Sequence, residues 1–379
     1  MFFFKICRCL LNGGEQKLSE NHAVACGSTA NSGPAADTIA PPPRFCYDAY
    51  MKMLLPVFAC LITLAAASAI GQSATIKTED IRVRDPFIYA DAKSETYYLY
   101  VQAANRAGSD FQGVEVYTSK NLTEWTAPKP VLTLPKDTNI FMVWAPEMHA
   151  YNGAYYLFVT MTFRDTLPIE KPVTTKSWPP MHKRGTWVYR ADSPAGPFTP
   201  LKDTSHTPPD WMALDGTLHV EADGTPHMVF CHEWVQLIDG AMASVELTRD
   251  LRDTVGKPTR LFSASIAPGA RKGAEEGKVT DGPFLYRSPK GGTLFMIWST
   301  FIPGKDYCVL LARSESGRIA GPWTGHTPIY TTDGGHGMIF KTFDGQLRLA
   351  LHQPNKDTKE RLHLFPLYDE GTTLRIGKE

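Results

Sequence analysis

The sequence predicts an all-β fold, a five-bladed β-propeller, and three observations predict it. Short runs rich in β-branched and aromatic residues alternate with turn clusters, and almost no helical periodicity interrupts them. One pattern recurs five times. The recurrences begin at Asp85, Glu147, Asp215, Asp281 and His336, spaced by 62, 68, 66 and 55 residues. A period of that size, with about four strands in each unit, is what a propeller blade leaves in a sequence.

Each unit opens on a short run with a polar residue at its head: RDPFIYA (84–90), APEMHAY (145–151), LDGTLHV (214–220), TDGPFLY (280–286) and GGHGMIF (334–340). A turn follows, at Ala92-Lys93-Ser94, Asn152-Gly153, Asp223-Gly224, Gly291-Gly292 and Asp344-Gly345. Asn-Gly and Asp-Gly favour tight hairpins because both residues tolerate positive φ. The second runs are TYYLYVQA (96–103), AYYLFVTMT (154–162), PHMVFCHEW (226–234), TLFMIWST (293–300) and QLRLALHQ (346–353). Third and fourth strands are legible in GVEVYTSKNLTEW (113–125), GTWVYRADSPAGPF (185–198) and CVLLARSESGRIAGPW (308–323).

The part of the chain ahead of these units has a different composition. Residues 1–74 hold no Trp and five of the seven Cys: Cys7, Cys9, Cys26, Cys46 and Cys60. From Met51 the chain reads MKMLLPVFACLITLAAASAIGQSA, with Lys52 at its start, an apolar core from Leu54 to Ala67 and a small-x-small site at Ala67-Ser68-Ala69. That order is the pattern of a secretory signal peptide, too short for a comfortable membrane span. The expected organisation is a non-structural upstream extension over 1–50, a signal peptide over 51–69 and one propeller domain over 70–379, in a protein that is secreted to an extracellular or periplasmic space. Cys231 and Cys308, which remain in that domain, make no disulfide framework and read as small buried hydrophobes.

With 39 Lys and Arg against 39 Asp and Glu the chain is formally neutral, which argues against a nucleic-acid partner. In a propeller the innermost strand of each blade lines a central channel. The first residues of the five units then form a ring: Asp85, Glu147, Asp215, Asp281 and His336. Like charges brought close raise one another's pKa, so four acids in one ring point to use. Paired carboxyls suit glycosidic bond hydrolysis, one protonating the leaving oxygen and the other activating water or attacking directly. No zinc-ligand spacing, phosphate-cradling glycine loop or nucleophile elbow is present. Trp144, Trp211 and Trp178 flank the predicted ring, and indole faces can stack on sugar rings.

The ordered set RDPFI (84–88), WAPEMHAYNGAYYLF (144–158), LDGTLHVEADGTPHMVF (214–230) and GGHGMIF with GQLRLALH (334–352) resembles glycoside hydrolase family 43, over about residues 78–370. The resemblance implies an inverting glycosidase for a polysaccharide or oligosaccharide substrate, with Asp85 as base and Asp215 as the residue that tunes and orients the acid. The long insert at 164–185, set to wall off one side of the expected pocket, favours exo action on terminal furanose or pentose residues, of arabinofuranosidase, galactofuranosidase or xylosidase type. Trp144, Glu147, His149, Trp211 and His336 are the expected sugar contacts. No cofactor is required, although the resemblance allows a calcium ion beside His336 on the channel axis. One motif departs: where the family has Glu-Gly-Pro, this chain has Asp281-Gly282-Pro283. Asp281 is the expected acid, shorter than Glu by one C–C bond of roughly 1.5 Å; Glu147, Glu233 and Glu276 are the alternatives. A non-catalytic carbohydrate-binding propeller is the competing reading, and a fructan- or neoagaro-oligosaccharide-cleaving relative a third.

Overall fold

The computed structural model describes residues 75–168, 178–270 and 277–378. The expected upstream extension and signal peptide, and Glu276, lie outside these residues. The described chain forms five antiparallel sheets, four with four strands and one with six. The innermost strands are Phe87–Asp91, Ile140–Tyr151, Ala213–Val220, Asp281–Arg287 and Gly335–Lys341. Each neighbours the next, and the fifth returns to the first, so the sheets close into a five-bladed propeller.

Alternation explains the packing. Along the second strand of blade 4, Leu294, Met296 and Trp298 face one neighbour and Phe295 and Ile297 the other, all at most 1% exposed. The first set joins Val229, Cys231 and Met242 of blade 3. The second joins Ile339, Leu349 and Leu351 of blade 5. Central strands are therefore apolar on both faces, as sheets covered on both sides require. Cys231 and Cys308 are buried and unpaired with each other.

One backbone device recurs at the head of every inner strand. Asp85, Ala145, Asp215, Gly282 and His336 all have positive φ, between 42° and 56°. In blades 2 to 5 the pairing with the second strand slips there, so that three steps on the inner strand oppose two on its neighbour. Such a bulge re-aims a side chain at a sheet end. It also revises the predicted ring. Ala145, not Glu147, is the blade 2 equivalent of Asp85, and Glu147 lies two residues further down the strand. In blade 4 the equivalent is Gly282, and Asp281 sits one residue nearer the mouth.

Closure of the ring rests on the segment that precedes blade 1. Ile76 and Lys77 pair with the outer edge of that blade. The chain then crosses to blade 5, where Arg82 bridges Arg361 and Val83 N–H donates to the Glu360 carbonyl. Glu360 is 1% exposed and faces both Arg82 and Arg84 at 3.4 Å. Removing one partner from a buried ion cluster leaves unpaired charge, at a cost of about 3–5 kcal/mol. Glu360→Ala is expected to lower unfolding free energy by about that amount. Urea titration of the two proteins checks it, and a change within about 0.5 kcal/mol, ordinary for a surface position, would show that this cluster does not hold the ring closed.

Candidate active site

Four of the five residues predicted for the ring meet at one imidazole. His336 Nδ1 lies 3.1 Å from Asp85 Oδ1, 3.5 Å from Asp281 Oδ1 and 3.9 Å from Asp215 Oδ2. All four are buried or nearly so. The bulges produce this convergence, because a left-handed residue turns its side chain across the channel instead of into a blade interface. Gly282 is required here: its φ is +48°, and a Cβ would stand 2.7 Å from the His336 ring. Gly335 is required too, since a Cβ would stand 2.3 Å from the Tyr307 ring.

Backbone and side-chain donors fix each group. Asp215 N–H donates to Thr160 Oγ1 at 2.8 Å, and Gly282 N–H donates to Asp215 Oδ2 at 3.2 Å. His336 N–H donates to Ser299 Oγ at 2.8 Å. The Tyr307 hydroxyl donates to Asp281 Oδ2 in a short hydrogen bond, and its ring stacks on His352. Asp85 N–H donates to His352 Nδ1 at 3.2 Å, and Gln102 Nε2 donates to Asp85 Oδ2 at 3.5 Å. Asp85 Oδ1 is buried and faces His336 Nδ1 at 3.1 Å. Arg84 supports Asp85 from outside, 3.8 Å from Oδ1, while itself held by Asn355 at 2.8 Å.

The electrostatics follow from crowding. Burial opposes charge on His336, but the carboxylates of Asp85, Asp215 and Asp281 outweigh it and lift the imidazolium to about 10. Burial pushes the Asp85 carboxyl up, against the pull of His336 and Arg84. Asp215 and Asp281 share a hydrogen bond and part in opposite directions. Burial and then the charge of Asp281 drive Asp215 well above the usual carboxylate range. Asp281 feels the same burial, but hydrogen bonds from Asp215, His336 and Tyr307 hold it low. The directions within this pair, up for Asp215 and down for Asp281, are the reverse of those expected for an acid at Asp281.

A second departure concerns spacing. The contacting atoms of Asp215, Asp281 and His336 all lie within 4.8 Å of one another, and Asp85 rests on the same nitrogen. Inverting carboxyl pairs stand roughly 6.5–9.5 Å apart to admit a water. Asp85 Oδ1 and Asp281 Oδ1 lie 3.1 and 3.5 Å from one imidazole nitrogen, a close arrangement for an inverting pair.

The remaining predicted contacts divide. Glu147 is buried, and its carboxylate meets His149 Nε2 at 3.1 Å; that ring packs between Phe87 and Phe158, further down the strand than the ring. Trp211 stacks on His232 at 4.0 Å within the packing of blades 2 and 3. Trp144 lies at the rim, with the Arg184 guanidinium 4.7 Å over its ring. Arg184 in turn pairs with Glu233 at 3.0 Å. Trp178 donates to the Val235 carbonyl at 2.9 Å, pinning the end of the blade 2 insert against blade 3. Sequence reasoning missed Tyr307, His352, Gln102 and Arg184. Gln102 and His352 stand inside the quoted runs, whereas Tyr307 falls one residue ahead of the quoted third strand of blade 4.

Asp215, Asp281 and His336 offer ligand atoms within 4.8 Å of one another, a grouping that could hold a metal ion. Calcium takes six to eight oxygens, so these residues would supply only part of its shell.

A sequence model of the glycosyl hydrolases family 43 matches residues 79–372. The chain belongs to that family. Its members are glycoside hydrolases, and with the fold and the carboxyl cluster in place this displaces the non-catalytic reading. Among solved structures, the chain is 37% identical to an endo-arabinase from Bacteroides thetaiotaomicron VPI-5482, with a TM-score of 0.66, covering 79% of this chain and 99% of that one. It shares its fold with an α-L-arabinofuranosidase from Lactobacillus brevis at 18% identity and a TM-score of 0.62, over 80% and 98% of the two chains. It also shares it with a xylan β-1,4-xylosidase from Bacillus halodurans C-125 at 18% identity and a TM-score of 0.54, over 78% and 54%. No curated protein sequence matches the chain.

The raised imidazolium of this glycosidase has a consequence for stability. A histidine whose folded pKa is about 10, above the ordinary 6.5, stabilises fully below pH 6.5 and loses that contribution as pH rises through 10. His336→Gln is expected to cost about 3–5 kcal/mol at pH 6, as for other buried charge partners, and little above pH 10. Urea unfolding at several pH values checks this; a penalty independent of pH would show that the ring stabilises by packing alone.

Proposed function

We propose that the protein is an inverting glycosidase acting on α-L-arabinofuranosyl linkages, with Asp85 as the general base. The observation that carries the base assignment is the place of Asp85 on the channel axis. Its carboxylate is buried there beside His336 at 3.1 Å and Arg84 at 3.8 Å, two cations that favour the ionised form a base needs. Burial pushes its pKa up, which brings a carboxylate base nearer the working pH and strengthens it. His336 and Arg84 keep it ionised. Asp215, protonated against Asp281, tunes the field around the reacting carbon. The sugar class rests on the similarity to the endo-arabinase. No step requires a metal.

Exo action on chain ends is the mode we favour. Leu167, Met181, Met212 and Val235 pack together, with Trp178 and Trp234 against them. They make a wall on one side of the mouth, between the blade 2 insert and blade 3. The endo mode has one observation in its favour. A cavity of about 440 Å³ lies at the strand ends of blades 1 and 2, between Phe111, Phe141 and Arg164, and offers room for further sugar units.

The leader pattern at Met51–Ala69 further supports export, with a mature N-terminus near Ile70. Mass spectrometry of the exported protein is expected to find that terminus, and a terminus upstream of Met51 would overturn the assignment.

Asp85→Asn is expected to lower turnover by at least about 10²-fold on every substrate, the usual worth of a general base. Proton NMR during hydrolysis of an aryl α-L-arabinofuranoside should show the β-anomer released first. Debranched arabinan should yield arabinose alone. An initial α-anomer would sink the inverting reading, and a ladder of oligosaccharides would select the endo mode.

A further inference from the structure

In the site described above Asp281 is tied to Tyr307 and His336, which leaves the acid's place open to a group outside the cluster. We infer that Glu233, held by Arg184 against the Trp144 face, is the proton donor to the leaving oxygen. The inference rests on the reading of the protein as an inverting glycosidase, and it moves the acid from blade 4 to the rim of blade 3.

Position is the first argument. Glu233 follows the second strand of blade 3, whose last residue, His232, pairs with Ala213. The Glu233 N–H donates to the Met212 carbonyl at 2.8 Å, so its backbone stands level with Met212, three residues mouthward of Asp215. At a rise of roughly 3.3 Å per residue that is roughly 10 Å. That offset sets Glu233 mouthward of the His336 cluster. Its carboxylate is fixed there by Arg184 at 3.0 Å, which itself lies 4.7 Å over the Trp144 ring.

Preorganisation is the second argument. Glu233 is 8% exposed and opens the short helix Trp234–Leu237, yet its side chain does not cap that helix. It turns instead to Arg184, which is itself fixed over Trp144. The helix is clamped in turn. Trp178 donates to the Val235 carbonyl, and Trp234 packs so closely on Gly277 that a Cβ there would stand 1.7 Å from its ring. Trp144 offers an aromatic face beside this carboxyl, where a sugar ring can stack while its oxygen meets Glu233.

Chemistry is the third. Burial raises the Glu233 carboxyl, and Asp281 adds to the effect while Arg184 opposes it; the net direction is up. A sugar closing over the rim removes more water and favours the neutral acid further. In the reaction, Glu233 gives its proton to the glycosidic oxygen as the bond from that oxygen to C1 breaks. A water oxygen bonds to C1 from the opposite face and loses its proton to Asp85. Asp85 then releases a proton to solvent and Glu233 regains one. The other acids are placed elsewhere. Glu147 is engaged with His149 down the channel, and Asp215 and Asp281 are locked on His336.

The test compares leaving groups. Wild-type enzyme is first run on a panel of nitrophenyl furanosides and pyranosides; no cleavage of the arabinofuranoside would sink the sugar assignment alone. On the best glycoside of the panel, Glu233→Gln is expected to keep its rate on a dinitrophenyl leaving group within about 10-fold. On the matching disaccharide it should lose about 10²–10⁴-fold, the range for general acid catalysis. Glu233→Asp keeps the charge opposite Arg184 while withdrawing the carboxyl, and should show the same contrast more weakly; it serves if the glutamine variant does not fold. Asp281→Asn should lose rate on both leaving groups alike. Equal losses in the Glu233 variants, or a leaving-group contrast in Asp281→Asn instead, would overturn the assignment.

Discussion

Everything in the channel depends on one contact set, the His336 imidazolium among three carboxylates. Bringing Asp85, Asp215 and Asp281 out of water onto one axis would be prohibitive for three negative charges. Two responses make it tolerable. His336 is pushed toward a positive charge that it would not hold at neutral pH in isolation, and the Asp215 carboxyl is pushed toward its neutral form. Arg84 adds a second cation beside Asp85, and the Tyr307 hydroxyl and Gly282 N–H supply donors. The cluster is thus a balanced assembly in which each group's state is set by the others.

That assembly exists because of backbone geometry repeated around the ring. A strand that entered the channel regularly would alternate its side chains between the two blade interfaces. The extra residue at each strand head breaks the alternation and turns one side chain onto the axis. The left-handed φ at Asp85, Asp215 and His336 is uncommon for residues with a Cβ. Such strain persists where the surroundings over-determine it, and here the ion contacts do so. Blade 2 places Ala145 at the same point and blade 4 places Gly282, so two of the five positions give their room to neighbours. The space left at Gly282 is filled by the His336 ring.

Much of this was legible from the chain alone. Blade count, inner strands and hairpin turns could be read because the same alternation and the same turn chemistry recur five times. The meeting of Asp85, Asp215, Asp281 and His336 could be read because a propeller puts equivalent residues on one axis. What could not be read was register at the level of one residue. Asp281 and Asp215 both head a strand, but the bulge sets one a step before the other, and that step decides which carboxyl faces Tyr307 and which faces the Gly282 N–H. The contacts of Asp281 with Tyr307 and His336 follow from that step. The stack of Trp211 on His232 was hidden for a related reason: no spacing in the sequence announces it.

The depth of the cluster also constrains what kind of chemistry it can do. Glycosidic cleavage passes through an oxocarbenium-like state that carries positive charge at the anomeric carbon. A base that remains anionic in a buried setting stabilises that charge far more than a solvated one would. A proton donor set in the same pit would be drawn into the carboxylate network and held there, as Asp215 is. The donor must therefore stand outside the network, desolvated enough to keep its proton and separate enough to release it. Glu233, as proposed, meets both conditions at the rim of blade 3, where burial raises the carboxyl and Arg184 opposes the rise. On that proposal base and acid differ in environment: Asp85 lies among cations on the axis, and Glu233 beside a single arginine at the mouth.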